Sequence, residues 1–348
     1  MRALRCADKG GPASWTLEDV PDPRAGEGQM VVEVQAASVE FVDTLIATGK
    51  YQIPVPMPFT PGNNLAGVVS EAGAGCSRFA VGDRVHGMAF IGAFAQRATV
   101  AEVMLRPTPD GLSAESACLT GSTYRTAYDA LVSTASVQPD EKVVVLGASG
   151  AVGSATVVIA KALGARVVAC ASSESKLEFC RDLGADAVVR YTPETLKDDL
   201  KAACDGAADV VIDLVGGDYS EPALRAVGYG GRFVVVGFAA GTVPRVKLNL
   251  VLLKGSTILG YEIADFERHN PDEARANRDS LEAMLVDGRL VPRIAARFGI
   301  NDAVEAMTLV AGREKLGSTI LDLSGAPGTV RGRMELRSAP VREAGRDA

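Results

Sequence analysis

Residues 143–153 read Val-Val-Val-Leu-Gly-Ala-Ser-Gly-Ala-Val-Gly. A β-branched run stops at glycines and enters an Ala-rich stretch with the composition of a helix. This is how a parallel strand delivers backbone N–H groups and a helix N-terminus to a pyrophosphate. Gly147, Ser149, Gly150, Ala151, Val152 and Gly153 are therefore read as a dinucleotide-binding turn. Gly150 would let the backbone approach the phosphates, and Gly153 would let helix and strand pack closely. The glycine spacing is looser than the full fingerprint. The turn gains weight from following a β-rich segment.

Outward from this turn, strand and helix alternate. Lys142–Leu146, 166–171, 187–190, 210–214, 232–237 and 256–259 are strand candidates, and helical runs 151–163, 174–183, 194–204 and 220–227 separate them. Alternation of this kind predicts an α/β fold, a doubly wound parallel sheet with crossovers on both faces. Upstream, residues 1–110 look β-rich: 30–34, 66–71 and the turn at Gly82-Asp83-Arg84-Val85 are punctuated by Gly and Pro. Residues 113–135 read as helical. Beyond about 262 the chain turns helical and charged, then ends in a strand at 318–323. Isolated strands are unstable, so that strand is expected to return to the first β region. From Gly325 the composition shifts to Gly, Pro, Arg and Glu, and disorder is expected there.

The 348 residues exceed what one hydrophobic core usually organises, so two domains are expected. The formal charge of −7 argues against a nucleic-acid surface. Residues 143–160 carry no charge over the minimal length of a membrane span, but their Gly, Ala and Ser content reads as a buried strand–turn–helix. The six cysteines, at 6, 76, 118, 170, 180 and 204, show neither metal-ligand spacing nor a disulfide framework. With no basic-then-apolar N-terminal stretch either, a cytoplasmic protein is expected.

Asp43-Thr44-Leu45, Gly49-Lys50-Tyr51, Pro61-Gly62, Gly82-Asp83-Arg84-Val85, Thr126-Ala127-Tyr128 and the turn at 147–153 occur in that order. The ordered set resembles the medium-chain dehydrogenase/reductase superfamily, specifically its zinc-free quinone oxidoreductase branch. The resemblance implies a GroES-like β-rich catalytic domain at 1–121, completed by 262–324, and a Rossmann domain at 122–261, with the active cleft between them. It also implies a homodimer joined near 256–261 through the last Rossmann strand.

Zinc-dependent members carry a Cys and a Pro-Gly-His-Glu segment where this chain has Glu40 and Pro61-Gly62-Asn63-Asn64, and the four-cysteine lobe after the Gly-Asp-Arg-Val turn is missing. Zinc sites are built from thiolates, imidazoles and carboxylates. Asn63 and Asn64 are poor replacements, so no metal is expected. The two histidines, His86 and His269, read as a strand end and a surface loop. Without a metal to ionise an alcohol, hydride delivery to an electron-poor acceptor is the easier reaction. A quinone or an α,β-unsaturated carbonyl fits.

The second Rossmann strand ends in Ser172-Ser173, with no acid at its tip for ribose hydroxyls. Resembling proteins use lysine and tyrosine at positions matching Lys176 and Tyr191, with small hydroxyls, to hold the 2′-phosphate of NADPH. A point cation and hydroxyl donors suit that dianion. The alternatives make Lys176 an exposed helix residue and Tyr191 a packing residue. The resemblance further places Val215-Gly216 near the ribose, Gly237-Phe238 and Thr126 near the nicotinamide, and Arg313 near the adenosine phosphate.

On the substrate side, Tyr51 either stacks on a flat acceptor, donates a hydrogen bond to its carbonyl, or packs its own loop. Asn63 and Asn64 either bind a substrate carbonyl or shape a turn. Glu40 departs from the branch, which generally has Asn there; it either serves the cleft or points to solvent. Two further readings stay open. One is an enoyl-thioester reductase acting on acyl-CoA or carrier-bound chains, with basic residues such as Arg97 or Arg125 at its mouth. The other is a non-catalytic, NADPH-binding, crystallin-like protein.

Overall fold

The computed structural model describes residues 1–325. Its six-stranded sheet is wholly parallel. In space Ala187–Arg190, Arg166–Ala171, Lys142–Leu146, Ala208–Asp213, Val227–Val235 and Thr257–Gly260 succeed one another, the doubly wound order 3-2-1-4-5-6. The apolar strands are buried on both faces, as crossovers require. Val143 and Val145 enter one core cluster, while Val144 and Leu146 enter the cluster on the opposite face. The chargeless run at 143–160 is this strand plus the helix Ala151–Ala162. No helix among the described residues is long and apolar enough to cross a membrane.

A second sheet of seven strands, mostly antiparallel, packs its own core. Its longest strand, Gln29–Val39, pairs with Asn64–Ala72, Arg97–Ala101 and the late strand Ser318–Asp322. The terminal strand therefore returns to the first β region, as expected. Five strands were not individually expected: Arg97–Ala101 and Leu105–Pro107 within the β-rich region, and three more. Arg2–Cys6 and Trp15–Asp19 form an antiparallel pair, and Ile294–Gly299 pairs in parallel with Ser318–Asp322. The helix expected over 113–135 is broken. Ala114–Cys118 stops, residues 119–122 turn, and the chain restarts as Thr123–Asp129 followed by a wider π turn to Thr134. Within the break, Gly121 lies so close to Asn64 Oδ1 that any Cβ would collide with it, so the position takes glycine. The disorder expected after Gly325 falls outside the described residues.

Candidate active site

The glycine turn sits where the strand order reverses, between Lys142–Leu146 and Ala208–Asp213. Gly147 adopts φ +74°, which the sharp exit from the strand requires. A Cβ on Gly153 would collide with the Gly147 carbonyl and reach 2.8 Å from Ala148 Cα, so helix and strand can pack only over glycine. Gly150 differs. Its φ is −76°, and an added Cβ would meet only Gly147 O at an ordinary 3.5 Å. The protein's own packing does not demand glycine at this N-cap. The space beside it is what an approaching pyrophosphate would fill, facing the free N–H groups of Ala151, Val152 and Gly153. Ser149, mostly buried, accepts from the Gly317 N–H at 2.9 Å through its carbonyl.

At the tip of Arg166–Ala171, Lys176 is only 8% exposed, not the solvated helix residue that was one alternative. Its Nζ donates to Ser172 Oγ at 3.2 Å and to the Arg313 carbonyl at 2.5 Å. Lys176 thus joins the strand tip to the distant segment at residue 313, through that residue's backbone carbonyl and not its guanidinium. Ser173 pairs with Ser175. Glu174, the nearest acid, is turned to Arg181 at 2.8 Å. Tyr191 hydrogen-bonds Ala171 O through its backbone, and its ring packs 4.8 Å from that of Tyr219, so the packing role is real. Lys315 was missed by the sequence reading. Its ammonium lies 4.7 Å from the Phe41 ring centroid. Burial, with the Lys176 charge adding, pushes it down to about 8 against the pull of Glu40.

The next rim is pinned by Asp213, also missed. Its buried carboxylate accepts from the Val215 and Gly216 N–H groups, both at 2.9 Å, and from Ser220 Oγ at 2.5 Å. Gly216 (φ +71°) packs so tightly on Phe238 that a Cβ would come within 2.8 Å of its ring. Backbone bonds from Ala239 and Ala240 to Leu214 and Val215 then join the Val215-Gly216 and Gly237-Phe238 turns into one wall.

Glu40 does not point to solvent. It is 8% exposed, and its Oε1 accepts from Ser38 Oγ at 2.9 Å and Thr123 Oγ1 at 2.7 Å. Ser122 Oγ donates to its Oε2 and accepts from Asn64 Nδ2 at 2.8 Å. A carboxylate suits this place because it receives every bond it makes. The network clamps the start of the helix that carries half-buried Thr126 one turn further on. Its reach of more than eighty residues in sequence is why it was not foreseen. Asp43, wholly buried, receives the Glu40 N–H at 2.7 Å and faces the Gly62 and Asn63 N–H groups. Burial, reinforced by the Glu40 charge, raises its carboxyl well above the usual range. Asn63 and Asn64 are both buried, and each keeps an Oδ1 without a partner among the described residues. Tyr51 lies 6.3 Å from Phe90, ring to ring; Phe90 is itself held at φ +65°, rare for a bulky residue. Burial, with Glu262 adding, pushes the Tyr51 phenol up, so it stays a protonated donor.

His86 and His269 serve elsewhere. His86 is buried between Thr108 (3.2 Å) and Glu282 (3.3 Å), and His269 accompanies a surface helix end. Glu40, Asn63 and Asn64 are not a donor set that fits zinc. Among the described residues no group of three or more His, Cys, Asp or Glu side chains is arranged to hold a metal ion.

Residues 26–110 match the alcohol dehydrogenase GroES-like domain, and residues 151–276 match the domain described as zinc-binding dehydrogenase. Quinone oxidoreductase-like protein 2 of Bos taurus is 34% identical over 325 residues, 92% of each chain. The chain belongs to the medium-chain dehydrogenase/reductase superfamily. Its relatives include proteins named quinone oxidoreductase or quinone oxidoreductase-like. The solved Escherichia coli quinone oxidoreductase complexed with NADPH matches with a TM-score of 0.84 and 26% identity, covering 92% of this chain and all of that one. A probable oxidoreductase from Mycobacterium abscessus matches with the same TM-score and 31% identity, over 92% and 98% of the two chains. The chain is thus an oxidoreductase with a GroES-like and a Rossmann sheet.

Proposed function

We propose that this oxidoreductase reduces a quinone or an α,β-unsaturated carbonyl with NADPH and without a metal. The observation that carries the cofactor half is the placing of the Lys176 ammonium beside Ser172 Oγ at the second strand tip, held from behind by the Arg313 carbonyl, with Glu174 turned away. An ammonium and a hydroxyl there suit a 2′-phosphate, and no carboxylate competes for the ribose hydroxyls. The relatives' NADPH complexes support the same choice. When bound, NADPH supplies the hydride. Gly150 and the helix N-terminus would hold its pyrophosphate, the Gly216–Phe238 wall its ribose and nicotinamide. Tyr51, kept protonated, would donate to the acceptor's carbonyl oxygen as negative charge develops there. The Glu40 network holds Asn64 and the Thr126 helix in register without touching the acceptor itself.

Stopped-flow oxidation of NADPH against quinones, enones and enoyl-CoAs tests the reading. Quinones or enones should turn over. Preference for enoyl-CoA would select the thioester alternative, and tight NADPH binding without any oxidation would select the crystallin-like one. Lys176→Ala should cost NADPH about tenfold in affinity and NADH almost nothing. Equal loss for both would remove the phosphate assignment.

A homodimer through the sheet edge belongs to the same proposal. Thr257–Gly260 pairs on one side only among the described residues. Beside it Leu248, Leu252, Leu253 and Tyr229 are all more than 70% exposed. Such a patch next to an open strand fits a second copy. Leu252→Glu with Leu253→Glu should yield monomers in analytical ultracentrifugation; a monomeric parent would end this part of the proposal.

A further inference from the structure

Behind the Glu40–Ser122–Asn64 chain lies a separate cavity of about 300 Å³. Thr120 and Gly121 form its inner wall, and Gly121 touches Asn64 from the other side. Five arginines line it, Arg78, Arg106, Arg125, Arg275 and Arg278, against two carboxylates, Glu267 and Glu282. Those carboxylates are already shared. Glu282 accepts from Arg106 at 2.7 Å and faces His86, while Glu267 accepts from Arg125 at 2.9 Å and Arg278 at 2.6 Å. Three further acids just outside, Asp279, Asp129 and Asp272, bring the carboxylates level with the arginines in number, but leave several guanidinium N–H groups unmet. Asp279 takes a further Arg106 donor at 2.6 Å, and exposed Asp272 stands 3.6 Å from Arg275. Asp129 lies 3.5 Å from Arg125 Nε, but its oxygens already accept from Tyr261 and Asn277 at 2.8 Å each.

Arg78 donates only to the carbonyls of Glu102 and Leu105. Arg125 is 3% exposed, yet its Nε and Nη2 hydrogen-bond to nothing among the described residues, and neither does Arg278 Nε. Buried guanidinium donors left unmet are costly, and a partly open space beside them calls for an acceptor with several oxygens. Planar guanidinium forks match the paired oxygens of phosphate.

We propose that this cavity binds a phosphate-class oxyanion, with Arg125 and Arg278 as inner donors and Arg275 at the mouth. The site lies outside the dinucleotide groove and does not depend on the proposed reaction. The anion is either free phosphate or the phosphate end of a larger molecule.

Isothermal titration of the full chain with inorganic phosphate, at constant ionic strength in chloride, tests it. One site is expected, weakened about tenfold or more by Arg125→Gln and unaffected by Lys176→Ala. Arg275→Gln is the safeguard against misfolding, because this exposed side chain holds no core together; it should weaken binding about threefold. Phenyl phosphate binding more tightly than phosphate would mark an end-group site, and equal or weaker binding a site for the free ion. No phosphate binding overturns the proposal. So does binding that survives both arginine substitutions and vanishes in Lys176→Ala, which would place the ion in the dinucleotide groove.

Discussion

Gly150→Ala is expected to leave the protein folded and to cost NADPH about a hundredfold in affinity, roughly 3 kcal/mol. Gly153→Ala is expected to fail the other way, losing about 1–3 kcal/mol of stability by overpacking. The two glycines stand three residues apart in one turn, yet the structure asks different things of them. At 150 the backbone is in a region any residue adopts, and a methyl group would meet only Gly147 O at 3.5 Å. Nothing inside the protein objects, so unfolding in denaturant should barely move. The methyl would instead occupy the space over the helix N-terminus where a pyrophosphate must come close to the N–H groups. At 153 the methyl meets the backbone of Gly147 and Ala148, which no rotamer change relieves. Strand and helix must separate there. Fluorescence titration with NADPH and denaturant melts of both variants give the comparison. Undiminished NADPH binding by Gly150→Ala would mean that the cofactor does not lie over this turn.

That contrast shows what sequence could convey. The strands Lys142–Leu146 and Arg166–Ala171 fall at the residues expected, because two-sided burial leaves uninterrupted apolar runs bounded by glycines and charges, and the edge strand Ala187–Arg190 also falls where expected though only Val189 is buried. A backbone-built turn is equally readable, since glycine itself reports the geometry. Ile294–Gly299 was missed because Arg297 and two alanines dilute its apolar pattern, and its partner strand supplies much of the reason it is extended. The demand for glycine at 121 was illegible for a related reason: the contact that forbids a side chain there comes from Asn64, across the core. Side-chain partnerships obey no local period. Nothing near Glu40 announces Thr123, and nothing near Lys176 announces the carbonyl of Arg313. Asp213 was legible in principle, because an Asx-type bond to residues two and three further on is local.

Glu40→Gln should lose about 1–2 kcal/mol of stability and slow turnover on the order of tenfold to a hundredfold through misplacement of the Thr126 helix. In the native chain every bond runs one way: Asn64 Nδ2 donates to Ser122 Oγ, and Ser122 Oγ donates to Glu40 Oε2. Glutamine keeps an oxygen for Ser38 and Thr123 but turns an NH2 toward Ser122. Ser122 then receives two N–H donors, and its own proton has lost its acceptor. Asn64→Asp alone should be harmful too, because a second carboxylate would face the Ser122 oxygen that now has no proton to offer it. The double variant, Glu40→Gln with Asn64→Asp, restores consistency by reversing the chain. The introduced amide donates to Ser122, and Ser122 donates to the introduced carboxylate. Neither total charge nor size changes. A double-mutant cycle in denaturant should therefore show coupling on the order of 1–2 kcal/mol, with the double variant recovering at least half of the summed loss. Simple additivity would show that Ser122 does not relay hydrogen bonding between positions 40 and 64. Recovered stability with the rate still depressed would assign the carboxylate at 40 a part in the reaction beyond holding the helix, through its charge beside Lys315.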